Sequence, residues 1–70
     1  MRQLLTKKGF REYKSCGCSG GRWWFKRDES PGLEVVLHAK GNQFEIKHNH
    51  TVVKRGHQDQ LPLELSNYIS

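Results

Sequence analysis

The feature that most constrains this chain is a pair of alternating runs on either side of Gly41-Asn42. Leu33, Val35, Leu37 and Ala39 alternate with Glu34, Val36, His38 and Lys40, and beyond the loop Phe44 and Ile46 alternate with Glu45 and Lys47. A period of two is the mark of a half-buried strand, because successive side chains point to opposite faces of a sheet. Gly41-Asn42 suits the positive φ angles of a two-residue hairpin loop. Such a loop pairs Lys40 with Gln43, Ala39 with Phe44, Leu37 with Ile46, Val35 with His48 and Leu33 with His50. All the apolar residues then share one face. The other face pairs His38 with Glu45, Val36 with Lys47 and Glu34 with Asn49, a solvated pattern.

The rest of the chain arranges itself around that hairpin. Arg2 to Lys8 reads as one or two helical turns with Leu4 and Leu5 inward, closed by Gly9 in the left-handed position that ends many helices. Phe10 to Cys16 reads as a strand with Phe10, Glu12, Lys14 and Cys16 on one face and Arg11, Tyr13 and Ser15 on the other. The turn cluster Gly17 to Gly21 returns the chain as Arg22 to Arg27, with Trp23 and Phe25 pointing one way and Arg22, Trp24 and Lys26 the other. Pro31-Gly32 supplies the next turn. Thr51 to Lys54 forms a short strand after a bend at Asn49-His50, ended by Gly56. Leu61, Leu65 and Ile69 recur at every fourth position, with Pro62 near the first helical position, and imply a short closing helix. The expected fold is α+β: an antiparallel meander of four or five strands, a short C-terminal helix and a short N-terminal helical turn, in one small domain over residues 1–70.

Size and charge narrow the function. A chain of seventy residues buries only about 60% of its unfolded surface, which supports one small core. The net charge of +5 is unevenly spread. Residues 1–27 carry eight Lys and Arg against one acid, Glu12, whereas residues 28–70 carry four against six. A basic N-terminal third attracts a polyanion, either nucleic acid or an acidic protein surface. The first residues show no apolar stretch of signal-peptide length, and no run approaches the about 20 apolar residues of a membrane span. Cys16 and Cys18 are separated by one residue, a spacing at which a mutual disulfide is strained, which fits a reducing compartment. The expectation is a cytoplasmic protein, a monomer or weak homodimer, without a membrane partner.

Three constellations carry chemistry. Arg22-Trp23-Trp24-Phe25-Lys26-Arg27 interleaves aromatic rings with cations, the way bases and phosphates are often held together. Trp23 and Phe25 suit the core, whereas Trp24 shares its face with Arg22 and Lys26. The expected nucleic-acid contacts are Arg11, Lys14, Arg22, Trp24, Lys26 and Arg27, with Lys7 and Lys8 on phosphate. The second constellation is Cys16 and Cys18 with His48 and His50, two pairs that would form a Cys2His2 zinc site only if they converge; their C-x-C spacing is tighter than structural zinc sites use. The third is a cysteine thiol beside Lys14 and Arg22, without a placed base to complete a catalytic pair. Neither a cofactor nor catalysis is expected.

The stretch Leu4-Leu5-Thr6-Lys7-Lys8-Gly9-Phe10, followed by a hairpin, further strands and a Leu-rich closing helix, resembles the HicA toxins, small RNA-cleaving proteins with a double-stranded-RNA-binding-like fold. The likeness covers the first ten residues and the order of elements. That family's active histidine follows glycine or serine on the first hairpin, and Ser19-Gly20-Gly21-Arg22 has none. What the resemblance implies is RNA binding rather than cleavage, not membership. Two other readings stand beside nucleic-acid binding: an accessory subunit whose partner completes its core, and a small zinc-stabilised domain.

Overall fold

A computed structural model describes residues 2–17 and 20–69. The N-terminal helix α1 (Arg2–Lys7) leads into five strands, β1 (Phe10–Cys16), β2 (Arg22–Arg27), β3 (Leu33–His38), β4 (Gln43–His48) and β5 (Thr51–His57), and then into helix α2 (Leu61–Leu65). All strand pairs are antiparallel and the sheet order is β1-β2-β3-β4-β5, so each strand lies beside its sequence neighbour. This is an α+β meander with short helices at both ends of the chain. Among the described residues no helix is long and apolar enough to cross a membrane.

One face of the sheet is covered by the helices. Phe10, Phe25, Leu33, Val35, Leu37, Phe44 and Ile46 project from the strands to meet Leu5 of α1 and Leu61, Leu65 and Ile69 at the C-terminal end, all in one buried cluster with Trp23 packed against it. The fourfold spacing of Leu61, Leu65 and Ile69 therefore does what it predicts. The helix proper ends sooner, at Leu65, and the Ile69 N–H reaches back to the Leu65 carbonyl at 3.0 Å to keep the third side chain inward. At the other end, Gly9 takes φ +91° and lets the chain leave α1 directly into β1. The Arg27 guanidinium donates to the Lys8 carbonyl at 2.8 Å, supplying one of the carbonyl partners that a helix end lacks.

The central hairpin departs from its expected register by two residues. β3 stops at His38, and the ladder pairs His38 with Gln43, Leu37 with Phe44, Val35 with Ile46 and Leu33 with His48. Ala39 turns into the right-handed helical region and begins a four-residue loop, in which only Gly41 and Asn42 have positive φ. The Ala39 N–H donates to the Gly21 carbonyl at 3.0 Å, tying this loop to the start of β2. A slip of two preserves the parity of the side chains, so the same residues face the core in either register.

Both edge strands carry a bulge. In β1 the register shifts between Glu12 and Lys14, leaving Tyr13 as the extra residue, and in β5 it shifts opposite Ile46 and Lys47, leaving Val53 as the extra one. Tyr13 and Val53 are 45% and 46% exposed, the two large exposed hydrophobic side chains of the sheet among the described residues. A bulge on each edge breaks the regular row of backbone groups that would otherwise recruit a further strand. The β1 bulge also corrects the expected alternation. Phe10 and Glu12 keep to the helix face, but Lys14 and Cys16 are carried to the opposite one, where they pair with Trp24 and Arg22.

Gly56 does not end β5, which runs on to His57. The glycine sits opposite Phe44 in the ladder, and a Cβ there would lie 3.2 Å from the Phe44 ring. Here glycine admits a ring close to the backbone rather than stopping the strand.

Candidate functional site

The face of the sheet that the helices leave open gathers residues from all five strands. Reading across the ladders, one row is Arg11, Lys26, Glu34 and Lys47; the next is Lys14, Trp24, Val36, Glu45 and Arg55; the last is Cys16, Arg22, His38, Gln43 and His57. Among the described residues the strands thus present six cations, Arg11, Lys14, Arg22, Lys26, Lys47 and Arg55, against the carboxylates Glu34 and Glu45. Both carboxylates are engaged on the face itself. Glu34 accepts from the Tyr13 hydroxyl. Glu45 lies 3.3 Å from Arg55 Nε and 3.6 Å from His38 Nε2.

Two rings lie among these charges, each under a lysine from the neighbouring strand. Lys14 of β1 places its ammonium 4.9 Å from the Trp24 ring of β2, and Lys26 of β2 places its own 4.4 Å from the Tyr13 ring of β1. Both distances fall within the range of a cation–π attraction. Trp24 is half-buried rather than fully exposed. Val36, its cross-strand neighbour, is only 2% exposed yet lies outside the main core cluster. The open face therefore shelters an apolar residue under its own side chains, contrary to the solvated role expected of Val36.

The eight residues expected to contact nucleic acid divide into two groups. Arg11, Lys14, Arg22, Trp24 and Lys26 come together on the open face. Arg27, Lys7 and Lys8 do not join them. Arg27 lies in the row of Phe10, on the helix side, and is held by the Lys8 carbonyl, the Ser30 hydroxyl and Glu29. Lys7 and Lys8 follow α1 to that same side of the sheet. Arg11 also carries an ion pair of its own, 2.7 Å from Asp28, between two largely exposed side chains.

Sequence reasoning left out Tyr13, Lys47 and Arg55. The alternation of β4 already carried the signal for Lys47. Arg55 was lost when Gly56 shortened β5, and no local pattern announces the bulge that sets Tyr13 beside Lys26.

The described candidate zinc ligands, Cys16, His48 and His50, do not converge. Cys16 lies in the row of His38 and Gln43, whereas His48 lies in the row of Leu33, five strand residues away, roughly 17 Å along the sheet. His48 is also on the helix side, and His50 belongs to the β4–β5 turn. Cys16 is disulfide-bonded, contrary to the free thiol expected from the C-x-C spacing, and this removes it as a thiolate ligand or nucleophile. Cys18 lies outside the described residues. Among the described residues no cluster of three or more His, Cys, Asp or Glu side chains is placed to hold a metal ion.

A cleft at the far end of the sheet, between the β2–β3 loop and the β4–β5 turn, is bordered by Lys26, Asp28, Leu33, Glu34, Asn49 and His50. Its mixture of cations and carboxylates gives it no clear preference for charge. No family model, curated protein or solved structure matches this chain, so the likeness to HicA toxins carries no further weight.

Proposed function

We propose that this protein is a small binding module whose open sheet face takes nucleic acid, acting by association rather than catalysis. The observation that carries the proposal is the charge of that face: among the described residues, six cations from four of the five strands, against two carboxylates that are already paired within it. A phosphate backbone gains from such a surface by releasing its condensed counterions, and a sheet with helices on one side leaves the other open to it. An acidic protein surface is the competing occupant on charge alone. The rings set between the cations favour nucleic acid, which offers π-faces as well as charge.

The reading in which a partner must complete the core loses its motive, because the chain's own helices already bury the apolar face of the sheet. The test is the binding of short oligonucleotides across a salt series. The logarithm of affinity should fall linearly with the logarithm of salt concentration. Binding absent at low salt, or indifferent to salt, overturns the proposal.

A further inference from the structure

We infer that the open face takes nucleic acid as a single strand, with two bases stacked on Tyr13 and Trp24 and phosphates on the lysines that now cover those rings. This rests on the nucleic-acid reading and goes beyond it. Base stacking needs a ring whose face can be uncovered. Here each ring is covered by the flexible end of a lysine rather than by backbone or core, at 4.4 Å for Tyr13 and 4.9 Å for Trp24. A base can take the ring while the ammonium swings to the neighbouring phosphate. Strands β1 and β2 each contribute one ring and one lysine, so the two units are repeated along a single strip.

The spacing of the units decides the kind of strand. The Tyr13 hydroxyl reaches Glu34, in the row of Lys26, while Trp24 lies in the next row on the same face, and successive rows on one face are roughly 7 Å apart along the strands. Neighbouring bases in a duplex strand are about 3.4 Å apart and already stacked on both sides. Platforms at twice that interval suit bases splayed from an extended single strand, the form in which base faces are free to be read. The strip has its own cations for the backbone, with Arg11 in the row of Lys26 and Arg22 in the last row beyond Trp24. Tyr13 is also positioned for the task, since its hydroxyl is tied to Glu34 while its side chain stays 45% exposed.

The test titrates the full chain with labelled single-stranded RNA and DNA of about ten nucleotides, with the same sequences as duplexes, and with heparin as a polyanion that has no bases. The expected result is tightest binding to single strands, with quenching of tryptophan emission that Trp24→Leu abolishes although Trp23 remains. Tyr13→Ala and Trp24→Leu should each weaken single-strand binding by roughly tenfold while leaving the salt slope unchanged. Lys14→Ala and Lys26→Ala should instead lower that slope by about 0.7 each. Should Trp24→Leu fail to fold, Tyr13→Ala alters an exposed side chain and keeps the test decisive. The RNA and DNA arms distinguish which of the two is taken. Duplex or heparin binding as tight as single-strand binding, with the ring variants unchanged, overturns the single-strand inference while salt-dependent oligonucleotide binding would keep the broader reading. Failure to bind any oligonucleotide at low salt overturns both.

Discussion

The two faces of this sheet are built from the same strands by opposite means. On the helix face, side chains such as Phe44, Ile46 and Val35 are fully buried, and the helices contribute Leu5, Leu61 and Leu65 to one continuous cluster. On the open face the strands carry long polar side chains, and Val36, the one residue buried there among those described, is sheltered without any helix. Stability is concentrated where area leaves water, because apolar burial is worth about 25 cal/mol per Å² while exposed ion pairs contribute little. The comparison teaches that this domain keeps its folding energy and its proposed binding chemistry on separate surfaces. The open face can be altered at Tyr13 or Arg22 without touching the core.

Substitutions sharpen or break that separation. Phe44→Ala, in the centre of the helix face, should cost about 3–5 kcal/mol in urea unfolding. A domain of this size has a total stability of only about 4–10 kcal/mol, so the variant should be unfolded in a large fraction of molecules at modest temperature. Gly56→Ala tests the same contact from the other strand. Its new methyl would lie 3.2 Å from both the Phe44 ring and the Gln60 side chain, and a loss of about 1–3 kcal/mol is expected. A neutral result would show that the Phe44 ring has room to retreat.

Val36→Ala measures how far the open face is truly polar. If Val36 is buried by its neighbours, removal of two methyl groups should cost about 1.5 kcal/mol in the same assay. A cost near zero would mean that the shelter is not maintained in solution. A change of opposite sign is expected in the β4–β5 turn, where Asn49 and His50 hold φ angles of 52° and 70°. Both positive angles belong to the hairpin turn that favours Asn-Gly, and His50→Gly should raise stability by about 0.5–1 kcal/mol, read as a higher melting temperature. The smallest effect is reserved for Arg11→Ala. Its pair with Asp28 is exposed at both ends, so thermal unfolding should move by less than about 1 kcal/mol while oligonucleotide affinity falls.

Much of this architecture is legible in local pattern. The alternation of Leu33 to Leu37 and of Phe44 with Ile46 correctly assigns each of those side chains to its face, and the spacing of Leu61, Leu65 and Ile69 correctly names the residues that close the core. Trp23 and Phe25 go inward and Trp24 outward, as their parity requires. The candidate site is legible to the extent that it obeys the same parity. Arg22, Trp24 and Lys26 are found together, but Arg27 belongs to the other side, where its guanidinium finishes α1 instead of facing a ligand.

What the sequence by itself determined, then, is which side chains of the central strands share a face, though not that Val36 is buried on the open one, because periodicity and hydrophobicity are properties of each segment alone. Tertiary structure decided the register of the central hairpin. A slip of two residues buries the same side chains, so alternation cannot tell the two registers apart; the one adopted closes through a four-residue loop in which Ala39 turns helical instead of pairing with β4. It likewise decided the bulge at Tyr13, which carries Lys14 over to Trp24, and the passage of β5 through Gly56, which depends on the Phe44 ring across the ladder. Each of these is a relation between strands, and a pattern read along one strand has no term for its neighbour.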